Sequence, residues 1–237
     1  MKTVDIFDNE SFLMNVPYPI RTDSYTPISH EAIINKVKEE LDKNSLVLAS
    51  SSYNSARNGR VVVGNYNISA GNPDYMMRIM FKNSYDKSVS FGMASGLNVF
   101  ICTNGCVSGE YSLKRKHTGI ADKDVDGYIE EAIKGIGDYY ERLVADMTLL
   151  RDISLTEKEA SHITGELYLL GDVINGMQLN IVKDELYNSK NFVHIDSDLF
   201  SAFDWYQSIT ESLKKSHPTR FISDHAELHK FVKNRFL

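Results

Sequence analysis

Residues 82–118 read KNSYDKSVSFGMASGLNVFICTNGCVSGEYSLKRKHT. This stretch decides the fold, because it joins strand-like alternation to an Asn-Gly turn and a basic tail. Residues 88–93 and 97–103 read as two strands, with Gly96 near the turn between them. Asn104-Gly105 then supplies a hairpin turn into a strand over residues 106–113. The same pattern lies upstream. Residues 46–56 and 60–68 flank Asn58-Gly59, a dipeptide suited to a type I′ turn, and residues 75–81 form a third strand. The connections are too short for crossover helices, so the five or six strands pair antiparallel.

After Asp124 the hydrophobic period changes. Val125, Ile129, Ile133, Ile136, Tyr140, Leu143, Met147 and Leu150 recur every three or four residues, which predicts one long amphipathic helix across a face of the sheet. Gly135 and Gly137 weaken it. Strands followed by helices give an α+β fold: an antiparallel sheet of five or six strands packed by a long helix, then a C-terminal helical region. Residues 1–28, punctuated by Pro17, Pro19 and Pro27, read as an extended arm with one short strand. Residues 29–152 form the core, opened by a helix capped by Ser29 with Ile33, Ile34, Val37 and Leu41 on one face. Residues 153–237 form helices packed on the same domain. Thr156 with Glu159 makes a capping box, Asp196 or Ser197 caps a helix holding Phe200 to Leu213, and Ser223 caps a final short helix.

The chain has 237 residues, 42% of them hydrophobic and 24% charged, the composition of a globular protein with a sizeable core. Its net charge of −6 does not by itself point to nucleic acid or membrane. The distribution is uneven. Residues 57–118 hold eight basic residues against three acidic ones, a net of +5, which leaves −11 for the remainder. Such a block forms one positive face, or it is scattered solvated charge. Two cysteines make no disulfide framework, no apolar leader follows Met1, and no apolar run is long enough to span a bilayer. These features predict a soluble cytoplasmic protein with free thiols and no membrane association.

Catalytic signatures are missing. There is no P-loop and no G-x-S-x-G elbow, and HAELH at 225–229 misplaces the acid of a zinc hydrolase. The DKDVDG segment starts like a calcium loop, but Ile133 stands where the bidentate glutamate belongs. Cys102 and Cys106 with His225 and His229 offer zinc-type ligands, yet the cysteine spacing straddles a tight turn. The cysteines read instead as small packed residues. The expectation is therefore no enzyme, no metal and no cofactor. The densest positive run is Lys114-Arg115-Lys116-His117. Tyr53, Tyr66, Tyr75, Tyr85, Phe91, Phe100 and Tyr111 are interleaved in the same block. Such rings either stack bases beside phosphate-binding cations or form the sheet core.

Asn83, Ser84, Tyr85, Asp86 and Ser88, then Cys102, Thr103, Asn104 and Gly105, then Lys116, His117 and Thr118, together resemble the phage/plasmid-like protein family, a domain of unknown function (932). Trp205, Ile209, Thr210 and Glu211 resemble its late element, although Leu213-Lys214-Lys215 replaces the aromatic-His that often follows. The resemblance implies a gene of a phage, plasmid or other mobile element. The order of strands and helix is also similar to Rad-type single-strand annealing proteins, which implies a homo-oligomer on single-stranded DNA. The leading expectation is a protein that binds single-stranded nucleic acid for annealing, recombination or replication. Arg57, Arg60, Lys82, Lys114, Arg115 and Lys116 would contact phosphate, and Tyr85 and His117 would contact base or sugar. Asn83, Asp86, Asn104 and Gly105 would build turns. The alternative is a phage factor or virion component that binds a host defence or replication protein through its acidic helical half, without nucleic-acid contact.

Overall fold

Consecutive strands pair into one antiparallel sheet of five strands, in chain order. They are β1 (Leu48–Ala56), β2 (Val61–Ile68), β3 (Tyr75–Ser84), β4 (Phe91–Val99) and β5 (Gly105–Arg115). The computed structural model describes residues 10–72, 74–99, 105–169, 171, 173–188, 199–217 and 220–237. Phe100, Cys102, Thr103 and Asn104, with the Asn104-Gly105 turn, lie outside the described residues. So do Asp196, Ser197 and Pro218, and the side chains of Cys106 and Tyr111. The architecture is α+β as the sequence predicts, with one correction. Residues 91–99 form a single strand through Gly96, not two strands with a turn there. Residues 91–97 are all buried, Gly96 among them.

The β1–β2 connection spans residues 57–60. Ala56 pairs with Val61, and the Arg60 amide donates to the Arg57 carbonyl at 3.3 Å. Asn58 and Gly59 have φ of 57° and 79°, and positive φ at both central residues is what a type I′ turn needs. Gly59 is also crowded: a Cβ there would lie 2.5 Å from Val16 Cγ2 and 3.0 Å from the Phe12 ring. Across β2 and β3, Val61 pairs with Ser84. The 57–60 turn and the β3–β4 loop therefore sit at one end of the sheet. An up-and-down meander brings the end of β5 back to that same end.

The chain divides into two compact units. The first holds the described residues up to Gly71, with Met76–Ser95 and Tyr111–Gly137. The arm enters this unit as a short helix, α1 (Glu10–Met14), and an isolated bridge between Thr22 and Tyr25, where the sequence predicts extended chain with one strand. The helix forms because Leu13 is buried and Glu10 is anchored, accepting from Lys38 Nζ at 2.6 Å and from Tyr53 Oη at 3.0 Å. Next comes α2 (His30–Lys43), capped as expected by Ser29, whose Oγ accepts from the Ala32 amide at 3.2 Å. Its buried face of Ile33, Ile34, Val37 and Leu41 meets Val125, Ile129, Ala132 and Ile133 of α3 (Ala121–Lys134) and the sheet residues Val62, Tyr66, Ile79, Phe81 and Phe91. Lys36 ties α2 to α3 through Glu130 at 2.8 Å. Gly64 gives the Phe81 ring its place: a Cβ there would lie 2.2 Å from Phe81 Cε1.

The predicted long helix is two helices. α3 ends at Gly135, and α4 (Ile136–Asp152) follows. The second unit holds the described residues of Asn72–Tyr75, Gly96–Glu110 and Asp138–Leu237. In it β6 (Ser154–Thr156) pairs with β7 (Leu199–Ser201), and the helices α5 (Glu157–Leu169), α6 (Gly176–Asn188), α7 (Ala202–Leu213) and α8 (Phe221–Phe236) follow the chain. The Thr156–Glu159 capping box is present, the Thr156 amide donating to Glu159 Oε2 at 2.8 Å. The cap of α7 is Ser201, not Asp196 or Ser197, because Asp204 completes a capping box with it and Phe200 stays in β7. The last helix starts at Phe221, ahead of Ser223, and runs to Phe236. Trp205 is fully buried and donates from Nε1 to Thr164 Oγ1 at 2.8 Å. Among the described residues no helix is long and apolar enough to cross a membrane.

Gly59 and Gly71 separate backbone conformation from crowding, since Gly71 has φ 68° and nothing within 4 Å of an added Cβ. Gly71→Ala is expected to cost about 1 kcal/mol and Gly59→Ala about 2–4 kcal/mol in urea unfolding. Equal losses would show that the contact between the arm and the turn contributes nothing.

Candidate nucleic-acid interface

The polar residues of the first unit gather where the 57–60 turn, the end of β3 and the start of α2 meet. His30 opens α2 and is fully buried. Its Nε2 lies 3.1 Å from the Gly59 carbonyl, an obligate acceptor, so Nε2 carries the proton and donates. Nδ1 then accepts from Asn83 Nδ2 at 2.9 Å, and the second Asn83 N–H donates to the Ile28 carbonyl at 2.7 Å. The His30 ring stacks on Tyr85 at 3.8 Å and 10°, and its backbone amide donates to Tyr85 Oη at 2.8 Å. The Tyr85 amide donates to the Arg60 carbonyl at 2.7 Å, which fixes the basic turn to the end of β3.

His117 arrives from the end of β5. The Thr26 amide donates to its carbonyl at 2.9 Å, and its ring lies 5.7 Å from that of Tyr25. Tyr25 in turn donates from Oη to the Tyr85 carbonyl at 3.2 Å, and Lys87 Nζ sits 4.7 Å over the Tyr25 ring. His117 is buried, with the backbone of Thr26 and Val89 beside its ring.

Burial sets the electrostatics. It pushes the His30 imidazole down to about 4, with the neighbouring His117 acting in the same direction and the Gly59 carbonyl opposing. His117 is lowered for the same reason, against the backbone groups of Thr26 and Val89. Burial pushes Tyr25 up to about 12 and raises Tyr85, so both stay protonated. For Asp86, partial burial works upward, but Ser88 and Arg57 outweigh it and hold the carboxyl below its ordinary value.

The predicted contact residues divide by exposure. Arg57 is exposed and paired with Asp86. Arg60, Lys114 and Lys116 are exposed. Arg115 is paired with Asp124 at 2.8 Å. Lys82 is 8% exposed, its alkyl chain lying against Gly92. Tyr85 and His117 are buried, so they hold the framework beneath the surface. Of the residues read as turn-builders, Asp86 Oδ1 accepts from the Ser88 amide at 3.0 Å, an Asx turn, whereas Asn83 is buried and bonds across to α2. Gly105 starts β5. Lys87, Tyr25, Thr26 and His30 are the residues that sequence reasoning missed. A histidine one residue after a helix cap was the only local signal.

The segments 83–86 and 116–118 thus converge in one place, although some thirty residues separate them. The sequence matches the family described as a domain of unknown function (DUF932) over residues 17–232. The chain belongs to that family. No solved structure matches it. In this DUF932 chain the late element of Trp205, Ile209 and Thr210 is buried core of the second unit, while Glu211 pairs with Lys214. His225 and His229 are buried on α8 in that unit as well, with His229 Nε2 3.4 Å from Asp146. Among the described residues no three His, Cys, Asp or Glu side chains are grouped as metal ligands would be.

A neutral buried His30 makes stability depend on pH. An unfolded histidine titrates near pH 6.5, so below that pH the unfolded chain binds the proton first. Stability is full above pH 6.5 and falls by roughly 3 kcal/mol as the pH drops to about 4. Urea midpoints at neutral and acid pH should show a larger drop for the natural chain than for His30→Gln, in which His117 still titrates. Equal drops would refute the neutral assignment.

Proposed function

We propose that this DUF932 chain binds single-stranded nucleic acid and acts in annealing, recombination or replication of a phage or other mobile element. The observation that carries the reading is the convergence of three basic segments at one end of the sheet. Arg57 and Arg60 come from the first turn, Lys87 from the β3–β4 loop, and Lys114 and Lys116 from the end of β5. All five are exposed. Exposed cations are what phosphate binding requires, because each neutralised phosphate releases counterions. Two of the nearby carboxylates, Asp86 and Asp124, are each engaged by an arginine. Lys82 and Arg115 drop out of the contact set on burial and pairing. In this reading the protein works in the cytoplasm of a bacterial host and self-associates along the strand.

Fluorescence anisotropy with a labelled single-stranded oligonucleotide at low salt tests the proposal. Binding should weaken with salt. The combined variant Arg60→Ala/Lys114→Ala/Lys116→Ala should bind about tenfold more weakly or worse, and lose about 2 from the slope of log K against log salt. Absence of binding, or an unchanged slope in the variant, would sink the reading.

A further inference from the structure

A strand held only by phosphate contacts lacks the stacking that usually fixes its bases, so an exposed ring beside the cations is the missing part. The described rings of the central block do not supply it: Tyr53, Tyr66, Tyr75, Tyr85 and Phe91 are all at most 8% exposed. Two large aromatic side chains in the described part of the first unit are exposed, Phe12 at 46% and Tyr18 at 54%. Phe12 already covers Gly59. Resting on the function proposed above, the geometry points to Tyr18 as the ring on which a nucleobase of the bound strand stacks.

Tyr18 is mounted for that task. It meets Tyr85 edge to face at 5.8 Å and 88°, and Tyr85 is stacked on His30, so an exposed ring heads a column whose foot is buried. Its hydroxyl donates to the Pro27 carbonyl at 2.8 Å. Burial suppresses its ionisation, as do nearby Asp122 and Tyr85, and the phenol stays a neutral donor. Pro17 and Pro19 flank it and restrict the backbone on both sides, so little entropy remains to be lost on binding.

The surroundings suit a nucleotide. Arg21, three residues on, is over half exposed; it donates to the Gly119 carbonyl at 2.9 Å and faces Asp122 at 3.6 Å. Thr26 Oγ1 donates to the same Gly119 carbonyl at 2.8 Å, which binds the arm to the segment that carries Lys116. Ile20 is 87% exposed and Ile120 55%, apolar surface that a sugar or a second base would cover. Every base has a π face, so the contact would add affinity without choosing a sequence.

The test uses the full chain with the single-stranded oligonucleotide. Tyr18→Leu should bind about 5- to 100-fold more weakly with an unchanged salt slope, whereas Tyr18→Phe should bind almost as the natural chain does. A salt-dependent natural chain matched in affinity by Tyr18→Leu overturns this inference and leaves the function standing. A natural chain that does not bind overturns both. Should Tyr18→Leu fail to fold, an oligonucleotide carrying iodouracil, photocrosslinked to the natural chain, decides: an adduct on Tyr18 supports the inference, and adducts only elsewhere refute it.

Discussion

One neutral imidazole ties together three parts of the first unit that are distant in sequence. His30 reaches the hairpin turn through Gly59, the end of β3 through Asn83, and the Tyr85 ring by stacking. The Asn83 bond requires the uncharged ring, whereas the Gly59 bond alone would favour the charged one. A second proton on Nδ1 would face the Asn83 amide and remove its acceptor, in a place where water cannot compensate. The exposed arginines of the turn are therefore positioned by a buried neutral group. Charge at the surface and neutrality beneath it belong to one arrangement, because a charged foundation would cost more than the site could return.

The ion pairs around the site bear on its use. Arg57–Asp86 is largely exposed on the arginine side, and exposed pairs of this kind are worth about 1 kcal/mol at most. Such a pair holds the guanidinium in place without committing it, and a phosphate oxygen can take over the carboxylate's role. Arg115 is different. It is bonded to Asp124 and also to the carbonyls of Lys116 and Thr118, so it braces the chain as β5 leads into α3. The run Lys114-Arg115-Lys116 thus alternates exposed, braced, exposed, as a strand end requires.

What was legible in the sequence followed local rules. The Asn58-Gly59 turn, the Ser29 cap, the Thr156–Glu159 box and the apolar face of α2 each depend on a few neighbouring residues, and each is present. Gly96 misled because a glycine in a buried strand looks like a turn when its cover is unknown. Gly135 misled in the opposite sense, since hydrophobic period continues across it while the helix does not. The candidate site was half legible. The basic turn and the Lys114–Lys116 run announce themselves by composition. That Lys82 is buried while Lys87 is exposed follows from strand position and a loop, which composition cannot report. The role of His30 depends on a contact between residues 53 apart.

The aromatic residues show why burial, not residue type, decides what a ring can do. The described rings of the central block are buried, and Tyr85, buried against His30, cannot also stack on a ligand. Tyr85 gives up its own face and in doing so gives Tyr18 a rigid support. The outer ring is none of the described sheet side chains. It comes from a proline-bracketed arm that the core holds at Leu13 and Tyr25, on either side of Tyr18. An arm pinned at two points can keep a large apolar ring in solvent, where an unpinned one would lose it to collapse or to disorder.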